Sequence, residues 1–333
     1  SGVPSVEIRI LYVLASFILA WATYRFIEMH CRAGKKSIKN IVPTLVFLLA
    51  AIGLTGGVAW TTKLLPSRLS QFPLAQSYSS QMEWSWWDNK ECMDRFRMSP
   101  CQINSPLPTV MLLGDSHANN LYPGISEKNV AVINAGTCAP YDKISSTTER
   151  NHSGACGDTS YLEAKLKVLD SVPSVKTVFL SAYWGLSLSG TFINPNDRDF
   201  LGKYLIKSTI PSEKNLGRDE LVYRGLSRTI ELLQSRQLNI IFVRDTPELT
   251  QDLRSACKIN RTSSSWESNC SFPRSEALPF RELESNLLSR LIKKFPNLMV
   301  SDPTTVLCKA EQCFFIKNNV LLYRDRHHLS ADG

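Results

Sequence analysis

Hydrophobic and polar positions divide the chain into three regimes. From Ile8 to Ile27 the residues are nearly all apolar, and a second such run extends from Ile41 to Trp60. Each run has about the length needed to cross the ~30 Å hydrocarbon core of a bilayer. The pattern therefore predicts two transmembrane helices over residues 1–65, with Gly53, Gly56 and Gly57 suited to close helix packing. Residues 66–107 follow, interrupted by Pro66, Pro73, Pro100 and Pro106. They are too polar for a core of their own and read as a linker or extension. From residue 108 the pattern changes again. Strand-like runs at Val110–Leu113, Val130–Asn134, Val175–Ser181, Ile240–Arg244 and Leu298–Ser301 alternate with helical spacing at Asp219–Arg236 and Ser285–Phe295. That alternation predicts an α/β domain over 108–333, a three-layer α/β/α arrangement with a parallel sheet covered on both faces. The polar stretch from Leu186 to Gly217 is long for a connection in a compact domain, which places it at the rim of an acceptor site.

Charge orients the N-terminal pair. Between the two apolar runs lies His30-Cys31-Arg32-Ala33-Gly34-Lys35-Lys36-Ser37-Ile38-Lys39. Basic residues in so short a loop place it on the cytoplasmic side, so both ends of the hairpin and everything after Leu65 lie outside. Trp60 then falls in the outer aromatic belt. The competing reading, two buried helices of a soluble core, is disfavoured by the length of the runs and the basic loop. The formal net charge is +8. No Lys/Arg run outside that loop and no Gly-rich phosphate loop accompanies it, which argues against a nucleic-acid partner. The excess suits an anionic membrane surface or an acidic glycan. In the extension, Trp84, Trp86 and Trp87 stand close enough together to anchor it to a neighbouring domain or to a sugar.

Cysteine usage points to the same compartment. Of nine cysteines, Cys31 sits in the basic loop and eight lie beyond the second apolar run. An even number on the outer side reads as a disulfide set. Short spans suggest Cys92–Cys101, Cys138–Cys156, Cys257–Cys270 and Cys308–Cys313. A zinc site is the rival reading, but no pair shows Cys-x-x-Cys spacing and the histidines do not cluster with the cysteines in sequence, so no metal is expected.

The candidate chemistry lies at two places. The strand ending at Leu113 runs into Gly114-Asp115-Ser116-His117, and near the C-terminus stands Asp325-Arg326-His327-His328. A serine hydroxyl is a weak nucleophile unless an imidazole takes its proton, and that imidazole works best when a carboxylate orients it. Ser116, His328 and Asp325 supply the three groups. Asp325 and His328, three residues apart in one loop, can pair through Nδ1 and leave Nε2 for the serine. His327 is one position out of register, so it is expected to face solvent or to support the pair. Asp115 fixes the turn by capping backbone N–H groups. A helix opening at Ser116 offers free N–H groups to an oxyanion. Each motif alone is a common turn or a solvated pair; their joint placement at a strand end and in one domain carries the assignment. Trp184, His117 and Asn119 are the candidates for substrate contact.

These residues resemble the SGNH/GDSL hydrolase superfamily, whose first block carries the serine and whose last is Asp-x-x-His. Thr137-Cys138-Ala139-Pro140, Asp245-Thr246-Pro247, Leu307-Cys308 and Tyr323-Arg324-Asp325-Arg326-His327-His328-Leu329 are similar to the SGNH domains fused to bacterial membrane acyltransferases. Tyr24-Arg25-Phe26-Ile27-Glu28 resembles the end of the penultimate membrane segment of the acyltransferase-three family, so the chain is expected to be the C-terminal piece of such a protein. The resemblance implies Gly136 as the second oxyanion donor beside Ser116. Thr137 competes for that role if Cys138 sets the alignment. The superfamily's third-block Asn is absent, since the strand from Thr177 leads into Tyr183-Trp184-Gly185. It also implies transfer of an acetyl group to a cell-envelope polysaccharide, with lipopolysaccharide O-antigen as acceptor. Acetyl-CoA would be the donor for the membrane domain, and no cofactor would bind this one. The chain would sit in the bacterial inner membrane with residues 66–333 in the periplasm. Two other functions use the same residues: a carbohydrate O-acetyl esterase, and a non-catalytic glycan-binding module. Reporter fusions at Lys36 and Ser70 should give cytoplasmic and periplasmic signals respectively, and the reverse pattern would overturn the topology.

Overall fold

The computed structural model describes residues 6–25, 29, 38–61, 89–97, 101–127, 130, 132–134, 138–150, 155–257 and 269–333. The chain divides into two compact units, one formed by the N-terminal helices and one by an α/β body. The basic loop at 30–37, the tryptophans at 84, 86 and 87, and Gly136 lie outside the described residues.

The body is built on a six-stranded sheet. In chain order its strands are β1 (Gln102–Ile103), β2 (Val110–Gly114), β3 (Val132–Asn134), β5 (Thr177–Ser181), β7 (Asn239–Val243) and β9 (Met299–Ser301), arranged β1-β3-β2-β5-β7-β9. All neighbours are parallel except β1, which runs antiparallel to β3. The five strands read from the sequence form the parallel part. The chain leaves β2 toward β3 on one side and returns to β5 on the other, so the switch point of the topology lies between β2 and β5. In open α/β sheets ligands bind outside the carboxyl ends of the strands at that point.

Alternation along each strand sorts its side chains onto two faces. Met111, Leu113, Ile133, Val178, Leu180, Ile240 and Phe242 enter the main core. There they meet Leu162, Leu166 and Leu169 of the helix Ser160–Ser171, together with Leu221, Val222, Leu226, Ile230 and Leu233 of Arg218–Gln234. Leu287, Leu288 and Leu291 of Arg281–Lys294 complete it. The intervening residues Leu112, Val132 and Phe179 face the other way, onto Ala118, Leu121, Tyr122 and Ile125. Helix polarity agrees with these placements. Arg281–Lys294 carries Glu282 and Glu284 in its first turn and Lys293 and Lys294 in its last, each opposing the helix dipole.

The polar extension does not end at residue 107 as a linker. Its last part joins the body: β1 closes the β3 edge, and the helix Lys90–Phe96 is tied to it by Cys92–Cys101. Both cysteines are fully buried in the main core, which gives a polar segment the anchorage its composition cannot supply. The other three disulfides join Cys138–Cys156, Cys257–Cys270 and Cys308–Cys313. The last links directly paired positions of β10 (Cys308–Lys309) and β11 (Gln312–Lys317). These strands form a second small sheet with β8 (Cys270–Pro273) and β12 (Val320–Leu321), around its own core of Phe315, Ile316, Leu321 and Tyr323. The stretch from Leu186 to Gly217 is not bare loop either. It holds the end of the helix Trp184–Ser189, the helix Pro195–Leu201 capped by Asn194, and β6 (Tyr204–Ser208), which pairs with β4 (Ile144–Thr148).

The N-terminal unit contains the helices Val6–Thr23 and Ile38–Thr61, the second with Pro43 inside it. No helix of the described residues is long and apolar enough to cross a membrane. At 18 residues the first helix extends only about 27 Å. Its apolar side chains are nevertheless exposed, Phe17 at 71 % and Ile18 at 66 %, and in the second helix Phe47 reaches 72 %. The hydroxyls of Ser16, Thr23 and Thr55 fold back onto backbone carbonyls of the preceding turn.

Gly114 is set opposite Ser181 in the β2–β5 ladder, and a Cβ there would stand 1.6 Å from the Ser181 carbonyl oxygen. Backbone cannot yield as a flexible side chain can. Gly114→Ala should therefore cost roughly 3 kcal/mol or more of unfolding free energy in chemical denaturation. Gly124→Ala, at a position with nothing within 4 Å, should stay within about 1 kcal/mol of the parent.

Candidate active site

The site grows out of the β2–β5 switch point. Asp115, in extended conformation, donates its N–H to the Ser181 carbonyl at 3.3 Å, continuing the contact between the two strands. Its side chain then caps the short helix Ser116–Asn119: Oδ1 accepts the His117 N–H at 2.9 Å. Oδ2 accepts the Tyr183 N–H, also at 2.9 Å, from the turn that follows β5. Asp115 thus acts as the turn-fixing residue its position suggests. Burial pushes its carboxyl up to about 6, opposed by those two N–H bonds and by His328. Asp245, after β7, repeats the arrangement one strand over, accepting the N–H groups of Trp184 at 3.0 Å and Gly185 at 2.6 Å. Glu284 in turn accepts the Asp245 N–H at 2.9 Å.

This scaffold sets Ser116 at the first helical position. Among the described residues no acceptor takes its backbone N–H. The Ser116 Oγ lies 2.8 Å from His328 Nε2, and His328 Nδ1 lies 2.7 Å from Asp325 Oδ2. The other oxygen of Asp325 accepts the N–H groups of His327 at 3.0 Å and His328 at 2.8 Å, so the carboxylate shapes the loop that carries the imidazole. Burial alone would raise the Asp325 carboxyl. The His328 hydrogen bond and charge outweigh it, with His327 assisting, and hold it well below the usual carboxylate range. The three groups, up to 212 positions apart in sequence, form one continuous chain of hydrogen bonds. Such a chain can deprotonate the serine and hold the resulting imidazolium beside an anion.

The remaining candidates divide. Trp184 is wholly buried, its indole N–H donates to the Val243 carbonyl at 2.8 Å, and its ring stacks on Phe242 at 4.8 Å. It belongs to the core and does not line the cleft. Asn119 is likewise buried at 1 % exposure. His117 is buried at 5 % and held edge to edge against His327, Nε2 to Nδ1 at 3.1 Å. Of the two roles expected for His327, facing solvent or supporting the pair, the structure shows it half-buried, lining the same cleft as Ser116 beside His328. Burial first, and then the charge of His328, lowers His117 to about 3 and His327 well below the usual histidine range. Both are therefore neutral near pH 7. His117, His327 and His328 offer nitrogen atoms within 4.8 Å of one another, so they are the group among the described residues that could approach a metal ion.

A cleft of about 230 Å³ opens beside Ser116, walled by the Cys138–Cys156 disulfide, Ala139, Tyr183, Leu186, Phe192 and Tyr204. Sequence reading missed these residues. Tyr183 could have been found, because it directly follows a strand on the ligand-binding edge. Leu186, Phe192 and Tyr204 lie in the stretch expected at the rim of the acceptor site, but nothing in the sequence singled them out within it.

With this geometry in hand, the family is clear. The model for SGNH domains fused to AT3 (acyltransferase-three) domains matches residues 87–333, most of the chain, and the chain belongs to that family. A comparison with curated protein sequences finds no match. Among solved structures, the chain is similar to the periplasmic domain of the lipopolysaccharide acetyltransferase of Salmonella ser. Paratyphi A. The identity is 14 %, the TM-score 0.44, and the match covers 67 % of this chain and 78 % of that one.

A buried carboxyl supports the site from below. Glu248 accepts a hydrogen bond from the Tyr183 hydroxyl, and burial pushes it up from 4.5 to about 8. A raised acid stabilises the folded state fully below its free value, and this contribution is lost as pH rises from about 4.5 through 8. Glu248→Gln, neutral at every pH, should therefore gain stability relative to the parent between pH 5 and 8.5. Urea midpoints at the two pH values would show it, and a constant difference would refute it.

Proposed function

We propose that this chain transfers an acyl group to a cell-envelope polysaccharide through an ester on Ser116. The observation that carries this reading is the continuous Ser116–His328–Asp325 hydrogen-bond chain at the mouth of the cleft. In the first half-reaction Ser116 Oγ attacks the acyl carbonyl of the donor while His328 Nε2 takes its proton. His328 then returns that proton to the departing donor group. In the second, His328 takes the proton of a sugar hydroxyl as its oxygen attacks the ester, and Ser116 leaves with the proton. The free Ser116 N–H faces the oxyanion in both halves, with Gly136 as the second donor.

Membership in a family of domains fused to membrane acyltransferases supports transfer over hydrolysis, because a secreted esterase needs no such partner. Acetyl is the group we assign, with O-antigen as the acceptor and acetyl-CoA, handled by an AT3 membrane domain of the same protein, as the donor. The exposed apolar side chains and internally bonded hydroxyls of the N-terminal helices suit a lipid environment, where no water can satisfy a polar group. They support contact of these helices with lipid, and we assign the α/β body to the periplasmic side.

The test is the acetate content of surface polysaccharide, by mass spectrometry, in cells expressing the full-length protein or its variants at matched levels. Ser116→Ala should abolish acetylation, and His328→Ala should lower it by roughly three orders of magnitude or more. Asp325→Asn should lose as much or less. Full acetylation by Ser116→Ala would exclude the serine ester and leave an acceptor-binding module. Loss of acetate on expression of the parent would indicate an esterase.

A further inference from the structure

The neighbours of the triad raise a question its chemistry does not answer, namely why a second imidazole stands in the cleft. The geometry of His117 and His327 is specific. Their ring centroids are 5.3 Å apart with planes 15° from parallel, while the facing nitrogens are 3.1 Å apart. The centroid separation exceeds the nitrogen separation by about two ring radii, so the rings lie edge to edge and nearly coplanar. Tyr183 is 4.8 Å from one centroid and 5.0 Å from the other, tilted 19° and 23°. It therefore lies flat over the hydrogen bond that joins them. Its own hydroxyl is anchored on Glu248.

The facing nitrogens, 3.1 Å apart between rings nearly in one plane, are set for a direct N–H···N hydrogen bond.

The pair also fixes a tautomer. Two neutral imidazoles share one proton along their hydrogen bond. His117 Nδ1 has no hydrogen-bond partner among the described residues, and His117 is 5 % exposed. A proton there has no acceptor among the described residues and sits in a residue only 5 % exposed, whereas the free edge of His327 opens on the cleft, where water or a ligand can accept it. The proton of His117 therefore sits on Nε2 and points at His327 Nδ1. His327 must then carry its own proton on Nε2, at the far edge of the ring, where no described residue accepts it. His327 lines the cleft beside Ser116, and its ring centroid is 4.0 Å from that of His328.

We propose that His327 Nε2–H is a hydrogen-bond donor to the acceptor sugar, holding the attacking hydroxyl or its neighbour beside His328 during the second half-reaction. The side of the site decides this role. The attacking oxygen must come within about 3 Å of His328 Nε2 to surrender its proton, and His327 is the adjacent group on that side. The oxyanion lies toward the Ser116 N–H instead. His117 and Tyr183 are positioning residues: the first sets the His327 tautomer and the second holds the ring plane.

The inference rests on the serine-ester reading, and its test separates the two. The full-length protein is given p-nitrophenyl acetate as acyl donor, with and without neutral methyl glycosides as acceptors. The p-nitrophenol burst reports loading of Ser116, while acetate and acetyl glycoside report hydrolysis and transfer. His327→Ala and His327→Phe should lower the transfer-to-hydrolysis ratio at least tenfold and raise KM for the glycoside. His327→Gln, which restores an N–H donor, should recover part of the ratio. The phenylalanine variant keeps a ring under Tyr183, so equal thermal midpoints would separate loss of the donor from loss of packing. An unchanged ratio in both variants overturns the proposal while leaving the ester intact, as does full recovery by Phe. Release of p-nitrophenol that Ser116→Ala leaves unchanged overturns both.

Discussion

Two backbone N–H groups from the turns after different strands, those of His117 and Tyr183, converge on the Asp115 carboxylate. The sheet's switch point is closed by that convergence. The parallel ladder between β2 and β5 brings the two strand ends together, but their turns diverge to opposite faces unless something holds them. Asp115 does so at the cost of burying a carboxyl, and the two N–H bonds offset part of that cost. Asp245 and then Glu284 continue the series along the sheet edge. Ser116, Tyr183 and the floor of the cleft are in this sense products of one repeated contact between an acid and the start of a turn.

Much of this was legible from residue pattern. Strong β-forming runs with helical spacing between them gave the parallel strands, because burial on both faces leaves little choice of residue. The nucleophile was visible because a serine after Gly-Asp at a strand end is both exposed and capped. The Asp-x-x-His register placed the base on His328 and not His327. Short spans indicated the disulfide pairs, since chain ends separated by few residues meet readily.

What was missed has physical reasons. Trp184 looked like an exposed recognition residue, but an indole whose N–H reaches the Val243 carbonyl can be buried without penalty, and spacing does not reveal that carbonyl. Residues 89–107 carry too little apolar surface to announce a place in the sheet. A disulfide between buried cysteines supplies it, an interaction that composition registers only as two more cysteines. The surroundings of His327 were not legible because its partners, His117 and Tyr183, are distant in sequence and come from two other strand ends. Proximity of that kind is a property of the topology. For Phe192 and Tyr204 the sequence located the stretch beside the acceptor site, and the fold selected the residues.

The central sheet's two outer strands have a consequence for how it meets other chains. β1 contributes only Gln102 and Ile103, and β9 only three residues, Met299–Ser301. An edge strand exposes unpaired backbone groups that can template pairing with another chain, and the hazard grows with its length. Strands of two and three residues offer too few such groups to nucleate a shared ladder. At these two edges the central sheet therefore presents a neighbouring chain with side chains and loops instead of a long run of open backbone.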